Sequence, residues 1–145
     1  MKKIILSLFG ITALIVGADA QCNQTVQISS IRSYFLNATD EVKGSKDENV
    51  VVTITKTTIT IMFDGKAENG GMSGNIKEMS CAWTEAFKEG KTVVRTDLVD
   101  QSGDVKDATI TLEGKQGKLT LLFEAKERPD QKIKLEVAHF EQKEN

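Results

Sequence analysis

Apolar and polar residues alternate at period two through residues 50–63. Val50, Val52 and Ile54 share one face of an extended segment, and Ile59, Ile61 and Phe63 share one face of the next. Thr53, Thr55, Thr58 and Thr60 fill the opposite side. β-Branched residues at this spacing suit a sheet with one buried face. The join at Lys56-Thr57 has neither glycine nor asparagine, so the pattern leaves its turn type open.

A second hairpin has clearer punctuation. Ala108, Ile110 and Leu112 alternate, Gly114-Lys115-Gln116-Gly117 turns the chain, and Leu119, Leu121 and Phe123 alternate again. After the turn at Arg128-Pro129-Asp130, Ile133, Leu135, Val137 and His139 line one face of a last strand, with Lys134 and Glu136 opposite. Thr92 to Leu98 is a further strand leading into a turn region at 100–107, and Asn75 to Met79 is a shorter one after Asn69-Gly70-Gly71.

Two stretches carry both periods. Residues 26–36 read as a strand through Val26 and Ile28, or as a helix through Ile28, Ile31 and Phe35. Residues 80–90 favour a short helix. Ser80 stands as its cap, Met79, Trp83 and Phe87 recur every four residues, and Gly90 stands at its end. A strand through Cys81 and Trp83 is the competing reading. Together the elements predict a mainly β domain, an antiparallel up-and-down meander of seven or eight strands. Each strand has an apolar side to hide, which favours a closed barrel; a β-sandwich or a curved open sheet carrying one helix are the alternatives.

The N-terminus changes the picture from fold to location. Lys2 and Lys3 precede an apolar run from Ile4 to Val16, and Ala18-Asp19-Ala20 offers small residues where a signal peptidase reads. The run is shorter than the ~20 residues of a spanning helix, which disfavours a retained anchor. Residues 1–20 are therefore expected to be a cleaved signal peptide and residues 21–145 a single exported domain, periplasmic or extracellular, with no integral membrane anchor after cleavage. Asp19-Ala20-Gln21 is a poor lipoprotein signal, so a lipid anchor on Cys22 is disfavoured. The cut would change 19 basic and 21 acidic residues to 17 and 20, and this mild acidity argues against a nucleic-acid partner.

Only Cys22 and Cys81 carry thiols, and an oxidising compartment favours a disulfide between them. Asn23-Gln24-Thr25 and Asn37-Ala38-Thr39 have the form of glycosylation acceptors, relevant only in a eukaryotic secretory route.

The segments VVVTIT, TITIMF, ATITLEGKQGKLTLLFEA and KIKLEVAHF, behind a leader and in one domain of this size, resemble the small exported lipocalin-like proteins of bacteria. The resemblance implies a barrel with a cavity for a small apolar molecule. The family's Gly-x-Trp signature near the first strand is absent, since Trp83, the sole tryptophan, lies mid-chain in Cys81-Ala82-Trp83.

Catalytic chemistry finds no foothold in the residue pattern. His139 is the only histidine, and its phase with Ile133, Leu135 and Val137 places it inward or at a rim with a structural role. Asp97, Asp100, Asp104 and Asp107 read as solvated turn residues, as does the acidic loop from Asp64 to Glu68, because neither follows the spacing of a calcium loop. The glycines fall at turns without the strand–loop–helix context of a phosphate cradle. The threonine pairs lack the fixed repeat of an ice-binding face and reflect β propensity. No catalytic, cofactor-binding or metal-binding residue is predicted.

The expectation is thus a non-enzymatic domain without a cofactor. A candidate ligand cavity is lined by Met62, Met79, Trp83 and Phe87, with Met72 nearby; its partner would be a small apolar ligand. A structural or interaction module that meets another extracytoplasmic protein through its surface is the alternative.

Overall fold

The computed structural model of the protein describes residues 22–143, so the signal peptide expected over residues 1–20 lies outside the described residues. The chain forms β1 (Thr25–Leu36), β2 (Val42–Ile54), β3 (Thr58–Phe63), β4 (Met72–Glu85), β5 (Glu89–Asp100), β6 (Val105–Lys115), β7 (Lys118–Ala125), β8 (Lys132–Glu136) and β9 (His139–Lys143), with one short 3-10 turn at Ala67–Asn69. Sequential antiparallel pairing runs from β2 to β8, and β8 then pairs β1. Pairing of β1 with β2 closes the ring, giving an eight-stranded barrel to which β9 is added. Closure removes both edges of the meander, which decides against the sandwich and the open sheet.

The ambiguous stretches are strand. Val26 and Ile28 are buried and pair with Ile54 and Val52, so residues 26–36 follow period two. The helix expected at 80–90 is absent. Cys81 and Trp83 are both buried inward-facing members of β4, paired with Thr92 and Gly90 of β5. The helical spacing of Trp83 and Phe87 arises otherwise. The Lys88 amide donates to the Glu85 carbonyl at 3.0 Å, Phe87 adopts φ 56°, and the tight turn swings its ring back over Trp83. The unmarked turn at Lys56-Thr57 is closed by a side chain: Thr55 Oγ1 accepts the amides of Thr57 and Thr58 at 3.2 and 2.9 Å.

One irregularity moves a residue from its expected face. Ser30 pairs Val50 while Arg32 pairs Asp47, so Glu48 and Asn49 of β2 oppose Ile31 alone, a β-bulge. Across β1, the last strand breaks at the same level. Val137 donates its amide to Leu119 of β7 at 3.1 Å and Ala138 donates to Ser29 of β1 at 2.8 Å. Leu135 opposes buried Ser33 on one side of the break, and Phe140 opposes buried Ile28 on the other. The five-residue step reverses the facing, so His139 is exposed rather than inward. The phase of Ile133, Leu135 and Val137 does not carry past Val137.

The interior is filled. Ile59, Val94, Leu98, Ala108, Ile110 and Thr96 have 0% exposure, so no water-sized space adjoins them. Polar groups facing inward are matched: Thr96 Oγ1 donates to the Asn75 carbonyl at 2.7 Å, and Ser33 Oγ donates to Glu48 Oε1 at 2.7 Å. Lys46 sits 2.8 Å from the other Glu48 oxygen, above a carboxylate side chain that is only 12% exposed.

The β5–β6 turn supplies a pH-dependent tie. Asp100 Oδ1 accepts Ser102 Oγ at 2.6 Å and the amides of Ser102 and Asp104 at 2.9 and 3.0 Å. The Ser102 hydroxyl bond does most to hold its carboxyl below the usual 3.8; burial opposes, and the two amides and Lys106 reinforce. A depressed folded value means the contribution is complete above the unfolded value and is lost as pH falls through the folded one. The stability gap between the protein and Asp100→Asn should therefore shrink from about pH 7 to about pH 3, read as urea midpoints. A gap that widens on acidification would show that Asp100 acts in the opposite sense.

Candidate functional site

The two barrel ends are built differently. The turns at 55–57, 86–88 and 116–117 gather at one end with residue 22 and the close of β9; those at 37–41, 64–71, 101–104 and 126–131 gather at the other.

The first end is plugged by aromatic rings, with a cleft of about 460 Å³ beside them between Leu119, Val137 and Phe140. The Phe87 ring lies between Trp83 and Phe140, with centroid distances of 5.0 and 4.8 Å. Trp83 Nε1 donates to Thr92 Oγ1 at 2.9 Å, and Thr92 Oγ1 donates to Cys81 Sγ at 3.4 Å. The Cys22–Cys81 disulfide joins the start of the described chain to β4 over a Cα separation of 5.8 Å. Gly114 makes room for the indole, since a Cβ there would lie 2.8 Å from Trp83 Cζ3 and 2.9 Å from the Lys88 carbonyl carbon and oxygen. Of the residues expected to line a cavity, Trp83 and Phe87 meet here, and Met79 packs against the same core. Met62 is elsewhere: it pairs Val51 while its neighbours Ile59 and Ile61 point inward, which puts it on the outer face. Met72 packs against the core near the opposite end.

The second end is open. A cleft of about 540 Å³ is floored by Phe35, Leu36, Phe123, Ala125 and Ile133. Phe35 pairs Ile133 on one side and Gly44 on the other, and the residue remains 39% exposed at the mouth. The rim is largely basic: Lys43, Lys106, Arg128 and Lys132, with Asp130 and Gln131. Lys106 faces in because it shares the phase of Ala108, Ile110 and Leu112 on β6.

These cations differ in how they are engaged. Lys132 lies 2.8 Å from Asp40 and 3.3 Å from Glu124, and the bond to Asp40 does most to raise its pKa against the opposing effect of burial. Lys43 is 2.9 Å from Glu41. Lys106 stands 3.7 Å from Asp100, outside hydrogen-bond range, and Arg128 donates from Nη1 to the neutral Gln131 side chain at 3.0 Å.

Three of the four aspartates singled out by sequence have carboxylates engaged by neighbouring groups. Asp97 binds Lys77 at 2.6 Å, Asp107 lies 3.9 Å from Lys126, and Asp100 organises its turn. Among the described residues no group of three or more His, Cys, Asp or Glu side chains is arranged to hold a metal. Sequence reasoning missed the mouth residues Phe35, Ile133, Lys106 and Arg128. The phase of Lys106 with Ala108 was the available signal, whereas meeting of the other three depends on barrel closure.

Comparison of the chain with protein-family models, characterised proteins and solved structures gives no match in any of the three.

Proposed function

We propose that the protein is an exported, non-enzymatic β-barrel that binds a small, largely apolar ligand, and that the open mouth holds it in place of the filled interior. The carrying observation is the cleft of about 540 Å³ with Phe35, Phe123 and Ile133 at its floor. That volume falls within the ~300–1000 Å³ common for small-molecule sites, and barrel mouths are a recurrent place for them. A disulfide between the only two cysteines fits an extracytoplasmic location, in line with the leader pattern. The outer face carries Arg95, Glu113, Thr120, Glu124 and Lys134, which suits a barrel surrounded by water.

Titration with the neutral apolar dye N-phenyl-1-naphthylamine tests the reading. The protein should enhance the dye's fluorescence saturably, and Phe35→Asp should weaken binding about ten-fold or more, about 1.4 kcal/mol or more. Near-ultraviolet circular dichroism checks that this half-exposed substitution leaves the fold intact. Saturable binding that Phe35→Asp leaves unchanged would remove the mouth from consideration.

A second reading, a module that meets another extracytoplasmic protein, is favoured by Ile31. Its side chain is 68% exposed at the bulge, beside a shallow trough that includes Tyr34, Val137 and Ala138. An intact mouth that binds no dye, together with a partner captured by the protein and lost in Ile31→Lys, would favour this reading.

A further inference from the structure

We infer that the mouth takes an amphiphile with one acidic head, of the long-chain carboxylate class, with its chain on Phe35, Phe123 and Ile133 and its head at Arg128 and Lys106. The inference rests on the mouth-binding reading above and adds the chemistry of the ligand.

An apolar floor alone would serve any greasy molecule; the rim narrows the choice. Four cations and one carboxylate, Asp130, line the cleft. Lys132 is occupied by Asp40 and Glu124, and Lys43 by Glu41. Arg128 is bonded to a neutral amide, which leaves most of the five donors of a guanidinium available to an incoming anion. Lys106 is paired with Asp100 only at 3.7 Å, a looser engagement than those of Lys132 and Lys43, and it shares the inward phase of β6.

The same residues argue against other classes. A cationic amphiphile would place like charge beside Arg128 and Lys106. A neutral one would cover these two cations with apolar mass and give no anion in return. Asp130 opposes a second negative charge, so a monoanion fits better than a phosphate dianion. The occupant is a free monomer, because the site is a cleft whose cations are interspersed with Asp40, Glu41, Asp104 and Glu127, a mixed surface and not the continuous basic face that an anionic bilayer attracts.

Calorimetric titration of the full mature protein with decanoate, decanol and decyltrimethylammonium at low salt tests this. N-phenyl-1-naphthylamine binding is measured alongside as the readout of the apolar mouth itself. Decanoate should bind about ten-fold more tightly than decanol, a difference of about 1.4 kcal/mol, and decyltrimethylammonium should bind more weakly than either. The double variant Lys106→Gln/Arg128→Gln should lose the preference for decanoate, its decanoate affinity falling about ten-fold to that of decanol. Equal affinity for decanoate and decanol, with the dye still bound, overturns the acidic-head inference and leaves the apolar mouth standing. No binding of the dye or of any of the three amphiphiles overturns the mouth reading as well. Co-sedimentation with phosphatidylglycerol vesicles in the absence of decanoate binding would overturn the free-monomer ligand in favour of a bilayer surface.

Discussion

Replacing Cys22 and Cys81 together by serine should lower the stability of the protein by about 4 kcal/mol. The bridge spans 59 residues in sequence, and closing a loop of that size in the unfolded chain corresponds to about that value in the chain-entropy model. The position of the bridge adds to the effect. Cys81 is a buried member of β4, Cys22 packs against the core, and β1 starts three residues later. The bridge thus fixes the beginning of the strand whose pairing with β2 and β8 closes the barrel. Urea unfolding of the oxidised protein and of Cys22→Ser/Cys81→Ser is the measurement. The variant should unfold at a lower midpoint with a steeper dependence on urea, because the uncrosslinked unfolded chain exposes more surface. A midpoint shift worth less than about 1 kcal/mol would mean that the unfolded chain is already compact around this loop, or that native strain offsets the bridge.

How far the fold could be read from the chain follows from where local pattern and tertiary context agree. Residues 50–63 and 108–123 form paired antiparallel strands in the register their alternation implies, because each buries one face and a one-residue slip would expose it. Residues 80–90 misled because a tight turn returns Phe87 to Trp83, and spacing four is then produced without a helix. His139 misled because the break at Val137–Ala138 reverses the strand's facing, and that break lies across β1 from a bulge on β2, some ninety residues earlier in the chain. The cysteine pairing was legible because the chain has only two cysteines and its N-terminal pattern led to an expectation of export. The mouth was not. Phe35 and Ile133 become neighbours only through the β1–β8 pairing that closes the ring, and Arg128 joins them through the turn before β8. A ligand site formed by ring closure leaves little trace in any one segment.

The plugged end makes the second large prediction. Trp83→Ala should cost about 3–5 kcal/mol, the range for deleting a buried aromatic side chain whose site cannot collapse. Its surroundings resist collapse: Phe87 and Phe140 stack outward from it, and β6 backs it at Gly114. Gly114→Ala should cost about 1–3 kcal/mol by overpacking, since the added methyl must displace either the indole or the Lys88 carbonyl. The pair is informative as a cycle. If the indole is the main obstacle, Gly114→Ala should cost less in the Trp83→Ala background, with a coupling of about 0.5–3 kcal/mol. The Lys88 backbone remains close in both backgrounds, so the residual cost should not reach zero. Chemical denaturation followed by far-ultraviolet circular dichroism reads all four proteins, because Trp83 is the only tryptophan and its fluorescence is lost on substitution. Additive costs would show that Gly114 is required by the backbone at Lys88 and not by the indole, and the plug would then owe its fit to the 85–88 turn rather than to the tryptophan it covers.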